Sequence, residues 1–157
     1  MKNTFYLLFI LVTATIQTNA QCWVKVSAGY AHTLAIKTDG TLWGWGDNTS
    51  GQLGNGTNNN SNAPGQIGTA TNWQVIAAGA EHSMAIKTDG TLWAWGRNSE
   101  AQLGDGTINN STVPIQIGTA TDWATISAGT EHNIAIKTDG SLWAWGGNQY
   151  GQCGNAL

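Results

Sequence analysis

AAGAEHSMAIKTDGTLWAWG at residues 77–96 and SAGTEHNIAIKTDGSLWAWG at residues 127–146 agree at 15 of 20 positions, 50 residues apart. A more divergent copy, SAGYAHTLAIKTDGTLWGWG, runs over residues 27–46. Self-similarity at a fixed period marks a repeat architecture, in which one supersecondary unit recurs and stacks on its neighbours. Tryptophan keeps the register at Trp23, Trp73 and Trp123, at Trp43, Trp93 and Trp143, and at Trp45, Trp95 and Trp145, which uses all nine in the chain. His32, His82 and His132 recur in the same way, as do the Lys-Thr-Asp-Gly turns that end at Gly40, Gly90 and Gly140. The copies span 23–72, 73–122 and 123–157, and the last, at 35 residues, is short of a full unit.

The pattern inside the second copy is one of strands. Trp73 to Ala77 is a short β-prone run that stops at Ala78-Gly79. From His82 to Lys87 large and small side chains alternate, so His82, Met84 and Ile86 share one face of a pleat. Thr88-Asp89-Gly90 follows, and glycine takes the positive φ of a tight reversal at little steric cost. Thr91 to Gly96 places Trp93 and Trp95 on one face and Leu92 and Ala94 on the other. A loop rich in Gly, Asn and Ser leads to a fourth short strand from Pro114 to Ile117, with proline expected at the first position, where no ladder donor is lost. Four strands per unit predict an all-β chain of four-stranded antiparallel sheets, each a β-propeller blade, with about three blades and so a partial propeller.

Residues 1–20 stand outside the repeat. Lys2, the apolar run Phe5 to Val12 and Thr18-Asn19-Ala20 are expected to form a cleaved secretory signal. The apolar run falls far short of the roughly 20 residues a membrane span requires. The domain is then 21–157, expected to be secreted or otherwise extracytoplasmic, in the periplasm or on the cell surface. Past Ala20, Lys25, Lys37, Lys87, Lys137 and Arg97 face nine carboxylates, a net charge of −4. Phosphate backbones are held by clustered Lys and Arg, so nucleic acid is not an expected partner.

Cys22 and Cys153 are the only cysteines, and both depart from the repeat: Cys22 replaces Asn72 and Asp122, and Cys153 replaces Leu53 and Leu103. An oxidising compartment permits a disulfide between them, provided their Cα atoms lie within about 7 Å. A buried Cys153 standing in for leucine, with Cys22 unpaired, is the other reading. Both stay open at this point.

Ala28-Gly29-x-x-His32, Asp39-Gly40, Trp43-x-Trp45-Gly46, Asn48 and Gly51-Gln52-Leu53-Gly54 together resemble the regulator-of-chromosome-condensation repeat. The elements recur in order in each copy and cover nearly all of 21–157; Ala101 for Gly51 and Cys153 for Leu53 are the departures. The resemblance implies a β-propeller, commonly seven-bladed in that family, whose loop-decorated faces bind other proteins. The guanine-nucleotide exchange of the founding member is not carried over, because an exported chain meets no nuclear GTPase. A secreted protein-binding module is the expectation, with a cell-surface structural or carbohydrate-contacting component as the alternative. Light sensing through tryptophans, another activity in the family, is discounted, since every Trp stands at a repeated position.

No catalytic constellation is evident, and neither enzyme activity nor a cofactor is expected: there is no Gly-x-Ser-x-Gly elbow and no phosphate-loop lysine. The three histidines are one blade apart, too far for ligands that must each lie about 2 Å from one zinc ion. Each is expected to bond within its own blade, and no metal is expected. Glu81 and Glu131 are read as solvated loop residues. Specificity belongs to positions where the copies differ, and Tyr30, Arg97 and Tyr150 are the candidate partner-binding residues, being of types enriched at interface hot spots. Two whole units and part of a third do not reach the four to eight blades of a closed ring. Self-association of several chains, a longer parent protein, or an open arc with exposed edges would each account for that.

Overall fold

The chain reverses at each Thr-Asp-Gly turn because the glycine takes the left-handed conformation there, with φ of 76° at Gly40, 76° at Gly90 and 85° at Gly140. In the turn before the second tryptophan pair, the Asp89 carboxylate accepts hydrogen bonds from the Thr91 N–H and hydroxyl, at 3.1 and 2.7 Å. Thr91 Oγ1 in turn accepts from the Trp93 indole at 2.9 Å. Asp39 with Thr41, and Asp139 with Ser141, repeat the Asx turn. The turn thus orients the first tryptophan of the strand that follows it.

The computed structural model describes residues 22–154. The expected signal at 1–20 and the final Asn155–Leu157 lie outside the described residues. Eleven strands are present in the described chain: β1 (Trp23–Ala28), β2 (His32–Lys37), β3 (Leu42–Gly46), β4 (Ser61–Gln66), β5 (Trp73–Ala78), β6 (His82–Lys87), β7 (Leu92–Gly96), β8 (Ser111–Gln116), β9 (Trp123–Ala128), β10 (His132–Lys137) and β11 (Leu142–Gly146). They form sheets β1-β2-β3-β4, β5-β6-β7-β8 and β9-β10-β11, all antiparallel and each in meander order. The third sheet lacks an outer strand among the described residues. No helix long and apolar enough to cross a membrane occurs among them.

The fourth strand corrects one expectation. It begins at Ser111, so Pro114 lies inside β8. β8 is the outer edge of its sheet and its register with β7 is broken between Ala94 and Gly96, which leaves the proline without a ladder bond to donate. Ser111 Oγ donates to the Val113 carbonyl across this irregular stretch.

Each blade carries two unlike faces. On one, three tryptophans cluster over a small alanine. Trp73 meets Trp93 edge-on at 5.9 Å and Trp95 at 6.3 Å, and the Lys87 ammonium lies 3.9 Å from the Trp93 ring centroid. The other face is aliphatic. The core consists of the aliphatic face of one blade packed into the tryptophan face of the next. Leu34, Ile36, Leu42 and Ile67 meet Trp73, Ala78, Ala85 and Trp95, and the following junction sets Met84, Ile86, Leu92 and Ile117 against Ile126 and Ala135, with Trp145 alongside.

Candidate functional site

The Ala-Gly-x-x-His motif builds the joint between blades. A Cβ on Gly29 would sit 2.6 Å from the His32 ring, and one on Gly79 or Gly129 would collide with His82 or His132. Glycine is required because the imidazole three residues on lies over its Cα. From there the ring reaches the next blade. His32 Nε2 lies 2.8 Å from Ser83 Oγ, and Ser83 donates its proton to the Gln52 carbonyl at 2.8 Å. With that proton spent, Ser83 accepts from His32, which sets the Nε2–H tautomer. His82 Nε2 likewise donates to Asn133 Oδ1 at 2.7 Å, while the Asn133 amide donates to the Gln102 carbonyl.

The histidines were expected to bond within their own blades; they bond across to the neighbouring one. Position 83 explains why: Thr33, Ser83 and Asn133 form a polar phase within otherwise apolar strands, the signal in the sequence for this contact. Burial holds the His32 pKa down at about 4 against an ordinary 6.5, with His82 adding to the effect and Asp47 opposing it. Burial also lowers the His82 pKa, against the hydrogen bond from Asn133. Nδ1 of both rings is buried without a hydrogen-bond partner. These are neutral structural histidines. No group of three or more His, Cys, Asp or Glu among the described residues could hold a metal ion.

The end of the blades where β1 meets β2 and β3 gives way to its loop carries the variable residues. The hairpin turns at Ala28–Tyr30, Ala78–Ala80 and Ala128–Thr130 surround a shallow basin of about 410 Å³. Tyr30 belongs to the first of these turns and is 88% exposed. Arg97 and Tyr150 follow β7 and β11 at the same end, since His82 pairs with Gly96 and His132 with Gly146. Tyr150 is 91% exposed.

Arg97 is different. Its guanidinium lies 3.4 Å from Glu81 and 3.3 Å from Glu131, joining the second and third blades. Glu81 and Glu131, read as solvated loop residues, are therefore ion-pair partners. All three side chains keep about a third or more of their surface exposed, so the contribution to stability is small.

Two buried asparagines that were read only as part of the motif hold the long loops to this end. Asn98 accepts from the Leu103 N–H through Oδ1, donates through Nδ2 to Asp105 and the Thr107 carbonyl, and its own N–H donates to Asn110. Asn48 does the same with Leu53, Asn55, Thr57 and Asn60. The variable loops thus leave a fixed base. Cys22 and Cys153 are free thiols, the first exposed before β1 and the second half-buried after β11, so the structure carries no disulfide between them.

Stacked antiparallel blades of this kind define an arc of a β-propeller. The regulator of chromosome condensation (RCC1) repeat matches residues 39–86 and 89–136, and a second profile of the same repeat matches 23–52, 74–102 and 123–152. The chain belongs to the RCC1 repeat family. Human WBSCR16 superposes with a TM-score of 0.74 at 23% identity, over 83% of this chain and 34% of its own. Prp20p of Saccharomyces cerevisiae, the yeast RCC1, does so with a TM-score of 0.72 at 27% identity, over 86% of this chain and 34% of its own. Prp20 is seen bound to Kap60, and its binding to Gsp1p and histones is described. The ultraviolet-B receptor UVR8 of Arabidopsis thaliana is 44% identical over 43 residues, 27% of this chain and 10% of the receptor. The chain thus spans about a third of the length of those two solved proteins and a tenth of the receptor.

Proposed function

We propose that this chain is an exported protein-binding module that engages its partner through the loop end of the blades. The observation that carries the reading is the placing of Tyr30 and Tyr150, large, nearly fully exposed and divergent between copies, at one end of a rigid repeat frame. Aromatic side chains of this kind bury much surface at low entropic cost when a partner covers them. The protein contacts of yeast Prp20 support the class of function, and an exported chain would meet different partners. We further propose that the arc is completed by blades supplied through self-association.

The test is capture of a partner from the medium in which the protein is made, with wild type and a Tyr30→Ala/Tyr150→Ala variant compared. Capture by wild type and its loss in the variant are expected. Equal capture by both would remove the loop end from consideration, and retention on immobilised glycans alone would favour the carbohydrate-contacting alternative.

A further inference from the structure

The two outer faces of the arc are the two halves of a junction that the molecule already builds twice. The third blade ends in an aliphatic face, with Ile134, Ile136 and Leu142 at the positions of Leu34, Ile36 and Leu42. The first blade opens with a tryptophan face, where Trp23, Val26, Ala28 and Trp45 hold the positions of Trp73, Ile76, Ala78 and Trp95. Val26 and Leu142 are exposed, whereas Ile76 is partly buried and Leu42 and Leu92 are fully so. We infer that a second copy of this chain covers both faces, with the third blade of each copy docked on the first blade of the other. This rests on reading the arc as an incomplete ring and is independent of what the loops bind.

The polar groups of the two faces match as well as the apolar ones. At the internal junctions a histidine donates to a side-chain oxygen at position 83 or 133, and an indole N–H at 95 or 145 donates to the carbonyl of Gln52 or Gln102. The corresponding groups at the outer faces are His132 and the Gln152 carbonyl on one side, Thr33 and the Trp45 indole on the other. Among the described residues the His132 ring, the Thr33 hydroxyl and the Trp45 N–H make no hydrogen bond, while all their internal counterparts do. The Ser27 hydroxyl also accepts from the Ala78 N–H at 3.0 Å, and Ser127 presents the same hydroxyl toward the position that Ala28 of a second copy would take.

Charge fits by the same substitution. Arg97 meets Glu131 across an internal junction. At the outer faces Gly147 replaces Arg97 and Ala31 replaces Glu131, so cation and anion are lost together and neither face presents a charge that the other leaves unpaired. An unlike pair of faces is a heterologous contact, which closes into a ring when the rotation permits. Two copies supply six blades, inside the four to eight of closed propellers, whereas three would supply nine. The pair is therefore the closed form.

The experiment is the solution mass of the full chain with and without one charge on each face. Wild type is expected at twice the mass of one chain, and Val26→Glu and Ile136→Glu, both at exposed positions, are each expected as folded monomers with unchanged tryptophan fluorescence. Mixing the two variants is expected to restore a pair, because one face of each remains intact and those two faces are complementary. Thr33→Val, which keeps the shape and removes the acceptor, is expected to weaken the pair by about tenfold. A wild-type monomer, a pair that survives either glutamate, or a mixture that stays monomeric would overturn the inference. Partner capture by a monomeric wild type would sink this inference and leave the loop reading standing; a dimer that captures nothing would do the reverse.

Discussion

The second and third blades agree at 15 of 20 residues over 77–96 and 127–146, yet the same side chain has a different fate in each. Leu92 is 1% exposed and Leu142 is 67% exposed. Leu92 lies beneath β8 and Ile117, whose N–H donates to the Leu92 carbonyl, and it packs on the third blade. Leu142 has neither cover among the described residues. The first blade shows the complementary contrast, with Trp23 46% exposed where Trp73 is 6% exposed. Burial here is a property of the neighbours of a blade, as expected where each repeat touches only the next one along.

Substituting matched residues in the two blades probes this contrast. The largest effect is expected from Trp95→Ala, which removes a fully buried ring and its hydrogen bond to the Gln52 carbonyl. It should cost about 3–5 kcal/mol, against less than about 1 kcal/mol for the half-exposed Trp143→Ala, measured by denaturant unfolding. Equal costs would mean that the third blade is as well covered as the second.

Acidification comes next. Between pH 6.5 and about 4 the unfolded chain takes up a proton at His32 that the folded chain refuses. Stability that is fully present above pH 6.5 therefore drains as the pH falls and is gone below about 4, a loss of roughly 3 kcal/mol for this ring. Unfolding midpoints across that range should show the loss, and His32→Gln should flatten it.

A smaller difference separates the turns. Gly90 and Gly140 both have positive φ, but a Cβ on Gly90 would collide with the Thr121 carbonyl, while one on Gly140 meets nothing within 4 Å. Gly140→Ala should cost about 1–2 kcal/mol from the left-handed backbone alone, and Gly90→Ala distinctly more. The smallest effect belongs to the ion pairs between these blades. Arg97→Ala should cost about 1 kcal/mol or less, most of it absent at high salt. A thermal melt at two salt concentrations checks this.

Much of the fold was legible in the sequence because local chemistry and repetition agreed. The Asp-Gly turns, the alternation along His82 to Lys87 and the paired tryptophans each demand the same conformation wherever they occur, so one copy stands for the others. Pro114 was misplaced because the start of an irregular edge strand depends on loop bonds such as that of Ser111 Oγ, which no pattern announces. At the candidate site, Tyr30 and Tyr150 were visible as departures from the repeat. The histidine contacts were not, because His32 and Ser83 are 51 residues apart and meet only when two blades stack.

The residue order alone established the repeat, the strands, the hairpin turns and the place of every tryptophan in a blade, since these follow from contacts within one unit. Stacking settled which tryptophan is buried, which blade each histidine bonds, whether Arg97 stands free or bridges two glutamates, and that Cys22 and Cys153 remain thiols. Those outcomes depend on what lies beside a blade, and a sequence that repeats itself says the same thing about a residue at the middle of the stack as about its copy at the end.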